Sequence, residues 1–154
     1  MSIDKTTPKA LAHYSVNIKI KLASLWTSLM FLYIYADYFQ LMTPEKLEKM
    51  MQLQTPVGPT SPGLLVIFSV ILIIPALMIF LSVFLKPPLN KWLNIIIALL
   101  YSGISILIII SDIGYDWQAF FVLFNFIELV VFATIIAQAW KWPRTNMDHS
   151  NPVS

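Results

Sequence analysis

The sequence predicts an all-α integral membrane protein, a four-helix bundle with both termini in the cytoplasm and a short amphipathic helix in its first outer loop. Three observations predict it. Four long apolar stretches, Leu22–Leu41, Leu64–Leu85, Trp92–Ser111 and Trp117–Ala139, contain only Asp37 and Glu128 as ionisable acids and no base. Each is long enough, at ~1.5 Å rise per residue, to cross a hydrocarbon layer ~30 Å thick. Charged residues make up 12% of the chain and apolar ones 58%, where a soluble domain carries about 25% charge. Finally, the basic residues fall in alternate connections.

A basic tail carrying Lys5, Lys9, Lys19 and Lys21 precedes the first stretch. A cleaved signal peptide is the competing reading, but its apolar core would be shorter, and Tyr33-Ile34-Tyr35-Ala36-Asp37-Tyr38 lacks the small residues of a cleavage site. The first stretch is therefore a true span. In the next connection, Thr43-Pro44-Glu45 reads as a helix start, with Thr43 as N-cap and Pro44 at the first helical position. Leu47, Met50 and Met51 then share one face, and Glu45 can pair with Lys49 one turn on. Such a helix lies flat in the interface as a spacer, with a lid over an outward cavity as the functional alternative. Pro56, Pro59, Pro62 and two glycines make the rest of the connection extended.

The second span has no charge and only Ser69, Pro75 and Ser82 as interruptions, which marks it as the helix facing lipid or a second copy. Pro75 removes one backbone donor, should kink the helix and leaves the Ile71 carbonyl free. Lys86-Pro87-Pro88 and Lys141-Trp142-Pro143 close the second and fourth spans with a base and a helix-stopping proline. The turn Asp112–Asp116, by contrast, is acidic with no base. One domain is expected over 1–154, with flexible tails at 1–18 and 144–154.

Lys46 and Lys49 are the only two of the ten Lys and Arg residues on the loop side. The positive-inside rule thus places the tails and the Lys86–Lys91 connection in the cytoplasm. Tyr35, Tyr38, Tyr115 and Trp117 on one side, and Trp92, Trp140 and Trp142 on the other, fit the two interfacial belts. The basic segments suit anionic headgroups and give no reason to invoke nucleic acid. With no cysteine and histidines only at 13 and 149, disulfides, thiolate metal sites and a histidine-held haem in the membrane are excluded. No cofactor, metal or catalytic motif is expected, so the chain does not read as an enzyme.

Glu128 is the residue that asks for an explanation. It sits near the middle of the fourth span, where a charged acid costs about 2.5–3.5 kcal/mol on insertion scales, so it needs a partner or a proton. Gln118, Phe121, Asn125, Glu128 and Phe132 form one helical stripe that should face inward. On the third span Asn94, Ala98, Tyr101, Ser105, Ile108 and Asp112 form a matching seam, and Ser102, Gly103 and Ser105 allow close approach. Tyr101 and Ser105 lie closest to the depth of Glu128 and should hydrogen-bond there. Asp37 is an interfacial anchor by default. It lies only about 9 Å from Glu128 along the membrane normal, from helical rise, so the two acids can line one vestibule opening outward.

Several strings carry a family resemblance: Lys19-Ile20-Lys21-Leu22-Ala23-Ser24-Leu25-Trp26, Leu29-Met30-Phe31-Leu32-Tyr33-Ile34-Tyr35-Ala36-Asp37-Tyr38 running to Thr43-Pro44, Pro75-Ala76-Leu77-Met78-Ile79-Phe80-Leu81-Ser82 and Ala139-Trp140-Lys141-Trp142-Pro143. In these the chain resembles an uncharacterised bacterial four-span membrane family, a domain of unknown function. The resemblance covers roughly Ile18 to Arg144. It implies a multi-pass protein of a prokaryotic inner membrane and lends no activity, though it draws interest to Asp37, Thr43 and Pro44. The expected function is binding or passing a proton, cation or apolar amine at Glu128, Asn125, Tyr101, Ser105 and Asp37, by a homo-oligomer since four helices make a thin pathway. The alternative is a structural or accessory protein whose polar seam only joins helices.

Overall fold

A computed structural model describes residues 16–55 and 58–143. In order, the chain forms α1 (Ile18–Gln40), α2 (Lys46–Met51), β1 (Gln54–Thr55), β2 (Gly58–Pro59), α3 (Pro62–Phe84), α4 (Pro87–Asp112), a 3-10 turn at Asp116–Gln118 and α5 (Ala119–Trp140). The four long helices are those whose length and apolarity suit a membrane crossing. The two tails fall outside the described residues except near residue 18, which is already helical.

In hydrocarbon each backbone donor and acceptor must be satisfied by protein, and the helix ends show how this sequence does it. The Asn17 side chain accepts from Lys19 N at 2.9 Å, and Ser61 Oγ accepts from Leu64 N at 3.2 Å. Pro62 and the pair Pro87-Pro88 occupy the first turns of α3 and α4, where a missing N–H is no loss. Pro87-Pro88 was expected to end a helix; it starts α4, which begins well before Trp92. The basic residues cap the other ends. Lys19 Nζ donates to the Val83 and Leu85 carbonyls at 3.0 and 2.8 Å. Lys91 Nζ donates to the Trp140 carbonyl at 3.2 Å and lies 5.3 Å above that residue's ring. A cation at a helix C-terminus complements the exposed carbonyls there. Along the shafts, Ser24, Thr27, Ser28, Ser69, Ser102 and Thr134 each donate to the carbonyl four residues back, so these six hydroxyls are satisfied within their own helices.

The first connection departs from expectation. Thr43 does not cap α2: its hydroxyl donates to the Gln40 carbonyl at 2.7 Å and finishes α1, while Glu45, at φ 61°, precedes a helix that opens at Lys46. The Gln40 carbonyl accepts from both the backbone N–H of Thr43, at 3.1 Å, and its hydroxyl, which ties this residue to the end of α1. The expected pair Lys49–Glu45 forms at 2.9 Å, and that lysine holds the Glu45 carboxyl below its ordinary range, though a pair this exposed adds little stability. The expected extended segment is a small hairpin, with Gln54 opposite Pro59 and Thr55 opposite Gly58. Gly58 takes φ 127°, a conformation open to glycine alone at little cost.

The bundle is asymmetric in two ways. Around its perimeter α1 packs on α3 and α5, and α4 packs along α5, yet α3 and α4 meet only sparsely although a tight turn joins them. Along its axis the apolar core lies in the half nearest the termini, where Leu22, Trp26 and Leu29 meet Met78, Ile95, Ala98, Phe132, Ile135 and Ala139. Trp26 meets Phe132 edge-on, with ring centroids 6.1 Å apart. A polar knot ties this core. Asn94 Oδ1 accepts from Trp26 Nε1 at 2.7 Å and from Ser82 Oγ at 3.3 Å. Asn94 Nδ2 donates to the Asn90 side-chain oxygen at 2.7 Å, and Asn90 Nδ2 donates to the Ser82 carbonyl at 2.6 Å. The knot joins α1, α3 and α4. Of the four long helices α3 is the least buried, covering only Pro75, Met78 and Ser82. Gly103 corrects the reading of close approach: a Cβ there would meet nothing within 4 Å, because the residue faces away from the seam.

Asn94→Ala strands the Trp26 N–H and the Asn90 side-chain oxygen in a buried site. It should lower stability by about 1–3 kcal/mol, read as an earlier unfolding midpoint in detergent. Ser28→Ala, on an exposed face of α1, should stay within about 0.5 kcal/mol of wild type.

Candidate functional site

Above the sealed core the helices enclose a cavity of about 140 Å³. Its position follows from the stripes on α4 and α5. Asn125, Glu128 and Phe132 are all buried on the inward face of α5, and Tyr101 and Ser105 on that of α4. Glu128 keeps only 3% of its surface exposed. Ser105 Oγ donates to its Oε2 at 3.0 Å, while Oε1 has no hydrogen-bond partner among the described residues and is not occluded, so it is left to the cavity. Asn125 behaves alike. Its amide nitrogen donates to the Phe121 carbonyl at 2.9 Å, and its Oδ1 is unpaired beside the same space.

Tyr33 and Asp37 bring α1 into this cavity, one turn apart on its inner face. Tyr101 lines it too but does not bond to Glu128. Its hydroxyl donates to the Ile71 carbonyl, the acceptor that Pro75 deprives of its amide partner. The expected free carbonyl is thus satisfied, and the expected Tyr101–Glu128 bond is absent because α3 offers the phenol a stronger need. The phenol bridges α4 to α3 one turn before Pro75, across the boundary where these helices otherwise separate.

Toward the loop end the cavity continues into a vestibule of about 860 Å³, and Asp37, Ile108 and Phe121 line both. Asp112 lines its wall, and Lys46 of α2 faces both aspartates. Met50, Leu53, Gln54 and Thr55 of the first connection also line it. The connection therefore forms part of the vestibule wall, on the side where the lid alternative puts it. Behind it Gln40 Nε2 donates to Gln118 Oε1 at 2.8 Å, tying α1 to the start of α5.

All five residues singled out from the sequence, Glu128, Asn125, Tyr101, Ser105 and Asp37, line one cavity. Tyr33 was missed as a site residue, though its i−4 spacing from Asp37 signalled it. Asn90 was missed as well; its i−4 spacing from buried Asn94 was the available sign. The chemistry on offer is narrow. A carboxyl oxygen and an amide oxygen await a donor, with aromatic faces around them and no base lining the cavity.

A model of a family described as "Family of unknown function (DUF6326)" matches residues 10–149 of this chain. No curated protein and no solved structure matches it.

Tyr101→Phe should lower stability by about 0.6 kcal/mol, the average for an intramembrane hydrogen bond, and by at most about 1.7. Pro75→Ala returns an amide to the Ile71 carbonyl. In that background Tyr101→Phe should cost less, so a double-mutant cycle of unfolding in detergent should show coupling between positions 75 and 101.

Proposed function

Because the chain belongs to this family of unknown function, which lends it no activity, we propose from its geometry that it is a multi-pass membrane protein that takes a proton or small cation to Glu128. The observation that carries this reading is the unpaired Glu128 Oε1 at the closed end of a cavity that widens toward the loops. An acid at this depth is expensive, and such residues mark ion or proton paths. The charge bias of the tails favours cytoplasmic termini, so the vestibule opens to the outer side of a prokaryotic plasma membrane. The reading is of a binder or conduit rather than an enzyme, and the exposed face of α3 suits association with a second copy.

The groups facing Glu128 set what a change of pH does. Asn125 and Phe121 lie on its own helix, Tyr101 and Ser105 on α4, and Tyr33 and Asp37 on α1, with Asp112 and Lys46 further out. Among these the carboxylates compete for protons and the phenols stay neutral near neutral pH. Protonation of Glu128 cancels the charge that attracts a cation, so affinity falls as pH falls.

A second reading has its own support: the Ser105–Glu128 bond joins α4 to α5 and would serve a purely structural protein. Glu128→Gln separates the two, since it keeps size and hydrogen bonding but cannot titrate. Wild type should bind tetramethylammonium more tightly at higher pH. Glu128→Gln should unfold at a similar temperature, bind at least tenfold more weakly and lose the pH dependence, and its proteoliposomes should lose any pH-dependent flux. Identical binding and flux in the two proteins would leave only the structural role.

A further inference from the structure

The walls of the Glu128 site restrict the kind of cation it suits. The buried residues lining this cavity present two acceptors without a partner among the described residues, Glu128 Oε1 and Asn125 Oδ1, in side chains 3% and 2% exposed; Gln40 Oε1, also unpaired, belongs to the vestibule. Calcium takes 6–8 oxygen ligands and magnesium a near-ideal octahedron. Two buried oxygens do not replace such a shell, and no group of three or more Asp, Glu or His side chains comes together among the described residues to complete it. Much of the remaining lining is aromatic and aliphatic, with Tyr33, Tyr101 and Phe121 contributing rings. An alkylated ammonium loses little hydration on burial and is attracted to ring faces. At about 140 Å³ the cavity matches four or five waters at ~30 Å³ each, enough for a small substituted ammonium and not for a larger body attached to it.

That body has a place. The vestibule, about 860 Å³, is of the size that holds organic molecules. Leu65 and Phe68 of α3 and Leu107 of α4 line it, and these residues are 53%, 37% and 66% exposed. They lie where α3 and α4 meet only sparsely, so helix packing leaves this side of the vestibule open. Asp37, shared by both spaces, marks an acidic step on the way to Glu128.

We infer that the ligand of this site is an amphiphilic organic cation, which reaches Glu128 from the adjoining lipid leaflet between α3 and α4, ammonium head inward and apolar chain along Leu65, Phe68 and Leu107. The inference rests on the cation reading of Glu128 and adds the ligand class and its route. It also gives the α3–α4 separation a use. A ligand that partitions into lipid is concentrated at this opening and does not have to pass α2.

The test is binding to the full chain in lipid nanodiscs, with empty nanodiscs as background, of decyltrimethylammonium and tetramethylammonium. Wild type should bind the decyl compound saturably and at least tenfold more tightly than tetramethylammonium. Glu128→Gln should weaken both by tenfold or more. Leu107→Trp, which places an indole in the opening, should slow association of the decyl compound at least threefold. Equal affinity for the two probes, each lost in Glu128→Gln, overturns the amphiphile and leaves the cation site standing. Association unchanged in Leu107→Trp overturns the lateral route. Binding of neither probe through Glu128 overturns both this inference and the function it rests on.

Discussion

Hydrocarbon offers no hydrogen-bond partner, and each polar group left unpaired in it costs several kcal/mol. The structure is organised by that constraint. Serine and threonine hydroxyls return to their own helices, Lys19 and Lys91 close the ends of α3 and α5, and Asn90, Asn94, Ser82 and Trp26 satisfy one another inside the core. Even the carbonyl released by Pro75 receives the Tyr101 hydroxyl. Gln40 Oε1 is left unpaired near the loops, and in the cavity an unpaired carboxyl oxygen on Glu128 and an unpaired amide oxygen on Asn125 are acceptors open to something that is not protein.

The two halves of the bundle divide the work. The half near the termini is filled by aromatic and aliphatic side chains around the asparagine knot, with Trp26 and Phe132 fully buried among them. The other half trades packing for space. There α3 leaves α4, the Phe39 ring touches Phe120 and Phe124 to hold α1 against α5, and the first connection lines the gap. A rigid base under an open funnel keeps the acid in place while its surroundings admit a ligand. Passage through the membrane would need the base to part, and Tyr101, bonded to the Ile71 carbonyl of α3, joins α3 to α4 between the two halves.

Much of this was legible in the sequence, and the limits have physical causes. Span positions follow from hydrophobic length, and the inward faces of α4 and α5 from polar residues at steps of three and four. Those steps place Glu128, Asn125, Ser105 and Asn94 correctly because they depend only on one helix. What lies across an interface depends on helix rotation and separation, which periodicity does not encode. Ser105 and Tyr101 had equal claims on Glu128; the geometry gave the acid to Ser105 and the phenol to α3. Thr43 had two helix ends to choose from and took that of α1. Gly103 shared the seam's composition but not its phase. The separation of α3 from α4 has no sequence sign, since a short turn ordinarily implies close packing.

The central claim, that position 128 lies at the closed end of a cavity that opens toward the loop side, has a direct test. The natural chain has no cysteine, so Glu128→Cys carries a single thiol. In oriented proteoliposomes a small cationic, membrane-impermeant methanethiosulfonate should modify that thiol when added on the side of the α1–α3 connection and leave it intact when added on the side of the termini. Modification from the side of the termini, or none from either side in protein that reacts once unfolded, would contradict the account.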